Sequence, residues 1–190
     1  MAPTGTKVVT TFGLRDVAIA LPVAGPDGEP TWYDLPSVES AAFKLNVSEV
    51  EQYGDDTYQG TFYHSQKGAI TVKHNKLSMA IFELLSGNTV TTATGTESML
   101  FGTNKELIPP QVLVRAKVPF RNDNTGAAGE MLVYWFKADV KTPWDNFPGG
   151  ERAKIGENTL VFNTYSSTKD EQGNALTGVD YAFGRIELIG

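Results

Sequence analysis

Period-two alternation of apolar and polar residues dominates this chain, and a period near 3.6 interrupts it once. In "QVLVRAKVPF" the residues Val112, Val114, Ala116 and Val118 fall on one face, against Leu113, Arg115 and Lys117. In "EMLVYWFKADV", Met131, Val133, Trp135 and Lys137 alternate with Leu132, Tyr134, Phe136 and Ala138. Val17, Ile19 and Leu21 repeat the pattern, as do Phe43, Leu45 and Val47, then Ile70 and Val72, with a further apolar run at 159–168. Successive side chains of an extended chain point to opposite faces, so these runs read as antiparallel strands with one face buried, and the aromatic-rich 130–140 run as a central strand buried on much of both faces. The exception is "KLSMAIFELLSGN", where Leu77, Ile81, Leu84 and Leu85 form a helical stripe that stops at Gly87. That predicts one helix over about 77–86, too short to hold alone in water and therefore packed on a sheet. The expected fold is mainly β: an antiparallel β-sandwich or barrel with one flanking short α-helix.

The chain's 190 residues are expected to form a single domain. Within it, residues 1–13, small and threonine-rich, read as an N-terminal arm, and 14–168 as the β-sandwich core. Residues 169–190 read as a C-terminal strand or arm, "VDYAFGRIEL" fitting either. The stretch Ser48–Gly68, "SEVEQYGDDTYQGTFYHSQKG", with glycines at 54, 60 and 68, reads as a long loop. It concentrates Glu49, Glu51, Asp55, Asp56, Tyr53, Tyr58, Phe62, Tyr63 and His64.

Those residue types invite a metal or catalytic reading, and their spacing argues against it. His64 and His74 match no zinc or iron ligand pattern and are expected at a surface or an interface; Asp55-Asp56 lacks the remaining positions of a calcium loop. Cysteine is absent, which removes disulfides, thiolate metal sites and cysteine nucleophiles. No G-x-S-x-G is present, and the Gly/Thr-rich stretch 87–96 follows a helix and lacks the P-loop lysine. Of the tryptophans, Trp135 is expected in the core, with Trp32 and Trp144 packed under loops. No catalytic residue, cofactor or metal ligand is therefore expected, and the chain is not expected to be an enzyme. With 16 basic against 22 acidic residues, the net charge of −6 argues against a protein that grips nucleic acid through its phosphates. No apolar run approaches the roughly 20 residues that span a bilayer, and no signal peptide is evident.

The order of elements carries a resemblance. A strand-rich first part and a long loop lead to the helix "LSMAIFELLSGN". Then come "VLVRAKVPF", "MLVYWFKADV" and "ERAKIGENTLVFNTYSS". Over roughly residues 14–168 this ordered set resembles the major tail protein (tail tube protein) family of long-tailed, siphovirus-like bacteriophages. Leu84-Leu85-Ser86-Gly87 departs by one residue from the commonest Leu-Leu-Gly helix end of that family.

The resemblance implies a structural virion protein without catalytic residues. Its subunits form six-membered rings that stack head to tail into a hollow tail tube, a conduit for DNA ejection. The implied partners are further copies of the chain, together with tape measure, tail terminator and distal tail proteins. DNA passes through the lumen without specific binding, and no membrane is involved. The implied location is the virion tail, after assembly in the host bacterial cytoplasm. An acidic chain suits such a conduit, because like charge keeps phosphates from adhering. Residues 48–68, with Glu49, Glu51, Tyr53, Asp55, Asp56, Tyr58, Phe62, Tyr63 and His64, are the candidate subunit-interface residues, expected to order between subunits. The alternatives are a secretion-system tube subunit of the same fold and a carbohydrate- or calcium-binding sandwich module.

Overall fold

The computed structural model describes residues 9–11, 16–54, 57–76, 78–99, 109–140 and 158–189, with backbone alone for 9–11, 47–54, 57–66 and 158. Its strands are β1 (Val9–Thr11), β2 (Asp16–Ala20), β3 (Tyr33–Asp34), β4 (Val38–Gly54), β5 (Thr57–His74), β6 (Val90–Ala93), β7 (Thr96–Met99), β8 (Val112–Asn122), β9 (Ala128–Val140), β10 (Asn158–Tyr165) and β11 (Gly184–Ile189). One helix, α1 (Met79–Ser86), lies between β5 and β6. The protein is mainly β and its strand pairs are antiparallel, as the alternation predicts.

The main sheet runs β3-β2-β8-β9-β10-β5-β4, with β1 continuing the β2 edge of β8 and β11 continuing the β10 edge of β9. Its two outermost strands, β3 and β4, are consecutive in the chain. The backbone leaves one edge at Asp34 and enters the other at Val38. Two hydrogen bonds hold this crossing: Leu35 N–H donates to the Val17 carbonyl (2.8 Å) and Asn75 N–H to that of Ser37 (3.4 Å). A sheet whose edges meet within so short a link must curl over itself. The result is a sandwich-like roll around one core, the form that natural twist and closure favour.

That core is made by inward positions of β2, β5, β8, β9 and β10: Val17 and Ile19, Ile70 and Val72, Val112, Val114 and Ala116, Trp135, Ala138 and Val140, Leu160 and Phe162. Ile81 and Leu85 of α1 join them. The helix forms because Ser78 caps its start, its hydroxyl accepting from Ile81 N–H at 3.3 Å. Gly87 closes its end at φ 70°, donating to the Glu83 carbonyl at 2.9 Å. Met79–Ser86 lies within the expected 77–86, and Leu77 lies outside the described residues.

Several expectations change. Ser48–Gly68 is not a loop: apart from Asp55 and Asp56, which lie outside the described residues, it is strand, forming the distal halves of β4 and β5. The acids and glycines there suggest a loop because no core-facing stripe marks the stretch. Backbone pairing between the two arms of a hairpin does not need one. Lys137 does not share a face with Trp135. The β8–β9 register passes from Val112–Ala138 to Val114–Trp135, so β9 carries an extra residue, and this bulge turns Trp135 and Ala138 both inward. Val9–Thr11, within the expected N-terminal arm, pairs with Phe120–Asn122 of β8. The C-terminal segment ends as a sheet strand, β11 pairing with Glu130–Trp135 of β9. The Gly/Thr-rich stretch after the helix forms the β6–β7 hairpin, turning at Thr94-Gly95.

Candidate assembly arm and outer face

The β4–β5 hairpin has two parts. From Val38 to Asn46, β4 pairs with β5, and β5 in turn pairs with β10 as far as Lys67–Tyr165. Beyond that point the two strands pair only with each other among the described residues: Ser48 with His64, Glu49 with Tyr63, Val50 with Phe62, Glu51 with Thr61, Tyr53 with Tyr58. The register slips between Asn46 and Val47, so β5 carries an extra residue where β10 stops. A bulge bends and twists its strand, which marks the place where the ribbon leaves the sheet. Val47–Gly54 makes a two-stranded arm of about 25 Å at ~3.3 Å per residue. The sequence-derived candidates Glu49, Glu51, Tyr53, Tyr58, Phe62, Tyr63 and His64 are thus brought together along this arm. Asp55 and Asp56 lie outside the described residues.

His74 is placed differently from expectation. It is fully buried, since β5 continues the inward alternation of Gly68, Ile70 and Val72 to position 74. Its Nδ1 donates to the Lys76 carbonyl at 2.7 Å, and its Nε2 is buried without a hydrogen-bond partner. Among the described residues no three His, Asp or Glu side chains gather as a metal group would require. No described helix is long and apolar enough to cross a membrane.

A second feature, invisible in the sequence, lies on the outward face of the sheet. Asp34, Ala18, Arg115, Tyr134 and Arg185 are successive cross-strand partners, forming one row across β3, β2, β8, β9 and β11. Trp32 folds over this row where Ala18 leaves room, with the Arg115 guanidinium 4.5 Å from its ring centre and the Tyr134 ring at 6.1 Å. At the row's far end Arg185 lies 5.4 Å from the Tyr134 ring centre. Arg185 also bonds the carboxylates of Glu171 and of Glu187, the latter at 3.0 Å. Burial, with Glu187 nearby, holds the Tyr134 hydroxyl above its ordinary range. On the neighbouring strand, burial and a hydrogen bond to Asp139 do the same for Tyr165. Trp135 is in the core as expected, Trp32 packs on this face, and Trp144 lies outside the described residues.

No protein-family model matches the chain, and a search of curated proteins finds no match.

Beside the row, the segment after β10 and Pro22–Val23 border a small open pocket of about 190 Å³. Pro22, Val23, Leu113 and Phe136 form its apolar wall, and Lys137, Lys169 and Glu171 its polar one. Ser167 and Thr168 also line it, and the Ser167 hydroxyl donates to the Lys169 carbonyl at 2.7 Å and accepts from Lys169 N–H at 3.1 Å.

Proposed function

We propose that the chain is a structural subunit of a phage-type tail tube. In this reading it assembles into rings, six-membered by resemblance, that stack head to tail. The stacked rings form a conduit for DNA ejection in the virion tail. Further copies of the chain are the principal partners, with tape measure, tail terminator and distal tail proteins at the tube's ends.

The observation that carries the reading is the β4–β5 arm. An isolated two-stranded ribbon is marginally stable in water, and its open edges invite pairing or docking. A ribbon that extends about 25 Å past its last neighbouring strand gains stability by lying against another subunit. A heterologous contact of that kind generates rings when its rotation closes and stacks when it does not. The net charge of −6 is consistent with a lumen along which DNA slides without adhering. The outer edge of the fold also exposes Val179, Tyr181, Ile186 and Ile189, apolar surface of the kind an assembly covers.

Negative-stain microscopy of the concentrated protein tests this, beside a variant in which residues 50–62 are replaced by Asn-Gly. That exchange joins the Glu49–Tyr63 pair by a tight hairpin turn and leaves the sheet intact. Rings or tubes from the native chain, and folded monomers from the variant, are expected. Unaltered tubes from the shortened variant would remove the arm from the assembly mechanism. A native monomer that binds glycan or calcium would replace the tube reading with the binding-module alternative.

A further inference from the structure

Glu171 is the one carboxylate among the described residues that the fold buries, at 5% exposure. It lies in the loop between β10 and β11, which is tied down on several sides. The Asp170 carboxylate accepts from Gln172 N–H (3.0 Å) and Asn174 N–H (2.8 Å). Gly28 N–H donates to the Gln172 carbonyl at 3.1 Å, and Asp27 N–H to the Asn174 side chain at 3.1 Å. One Glu171 oxygen, Oε1, accepts from Arg185 of β11; the other, Oε2, is buried with no partner. Arg185 is shared with Glu187. One guanidinium therefore serves two carboxylates, with Asp170 as a third acid next in the chain.

We propose that Glu171 is a proton-binding latch that makes the docking of the C-terminal strand β11 on β9 depend on pH. A buried carboxylate with one unpaired oxygen favours its neutral form, because the proton removes the charge that burial penalises. The groups around it divide in sign. Its own backbone N–H and Arg185 from β11 oppose protonation, and Asp170 from its own loop and Glu187 from β11 favour it. Tyr134 of β9 faces the same guanidinium, Arg115 of β8 lies beyond Tyr134, and Lys137 and Lys169 line the adjoining pocket. Burial is the largest influence, and Glu171 titrates above the ordinary carboxylate range. When the segment undocks, the side chain returns to its ordinary value. The docked state therefore holds the proton more tightly. Docking is strongest below the ordinary carboxylate value and weakens as pH rises through the docked value.

Hydrogen exchange of the full-length chain tests this, read on the amides of 184–189 and corrected for intrinsic rates, at about pH 5 and about pH 8. Greater corrected protection of β11 in acid is expected, measured against β10 as the internal reference. Glu171→Gln, which keeps the shape of the neutral carboxyl, is expected to lose that pH dependence. Glu187→Gln, on the exposed side of Arg185, is expected to move the transition to lower pH, because a competing charge is gone. Wild-type protection that is the same at both pH values would overturn the proposal. So would a pH dependence that survives in Glu171→Gln, or a transition that does not move in Glu187→Gln.

Discussion

Phe162 and Phe43 both face the inside of the roll, and the structure predicts very different costs for removing them. Phe162 lies in β10, between its cross-strand partners Ile70 of β5 and Val140 of β9, and is completely buried. Phe162→Ala leaves an enclosed void as well as losing transfer energy, which costs about 3–5 kcal/mol. Phe43 sits at the open end of the roll, its ring 5.6 Å from that of Trp135, and is 43% exposed. An aromatic side chain buries roughly 150–250 Å² when enclosed. About half of that area at ~25 cal/mol per Å² gives Phe43→Ala a cost of about 2–3 kcal/mol, with no cavity added because the site opens to solvent. For a chain of this length each kcal/mol lowers Tm by about 2–4 °C. Phe162→Ala is therefore expected to melt about 6–20 °C lower, and Phe43→Ala about 4–12 °C lower. Urea denaturation monitored by circular dichroism measures both, at low protein concentration so that association does not shift the midpoint. Phe43→Ala costing as much as Phe162→Ala would refute the open-ended roll. A Phe162→Ala cost under about 1 kcal/mol would refute the enclosed core, since cavity formation is then absent.

Three other outcomes follow from the same geometry. A Cβ at Gly184 would clash with the Tyr134 carbonyl oxygen, so Gly184→Ala is expected to lift the start of β11 from β9 and to speed exchange of the amides at 184–189. At the helix, Ser78→Ala removes the cap and Gly87→Ala strains a left-handed position. Each is expected to lower stability by about 1 kcal/mol in denaturant titration, and near additivity would show that the two helix ends act independently. Tyr134 and Tyr165 are held above the ordinary phenol range, so ultraviolet titration should show them ionising above the ordinary phenol value. Their folded values lie above the unfolded one, so the stability they contribute is intact below the ordinary phenol value and lost as pH rises through the folded one. Tyr134→Phe is expected to reduce that alkaline loss.

Much of the fold was legible in the chain because the signals are local. The inward residues of β2 and β8 follow from alternation alone, and α1 from its stripe and its glycine end. Lys137 shows where a local signal fails, because the bulge in β9 is fixed by its partner strand rather than by its own residues. His74 shows the converse: the alternation through Ile70 and Val72 already pointed inward, and only the expectation that histidine stays near a surface stood against it. Ser48–Gly68 looked like a loop by composition, since a ribbon without a core beneath it has no reason to carry a continuous apolar face.

By itself the sequence determined the fold class, the helix that ends at Gly87, the absence of thiol chemistry and the acidic balance. Each of these depends on neighbours in the chain or on totals over it. Only the tertiary structure decided that residues 47–54 and 57–66 form a paired arm. The same holds for the row of Arg115, Tyr134 and Arg185 beneath Trp32, and for the burial of Glu171. Those features depend on register between strands far apart in the chain. A slip of one residue in a strand would turn its side chains to the opposite face, and no local pattern records which register the closed roll selects.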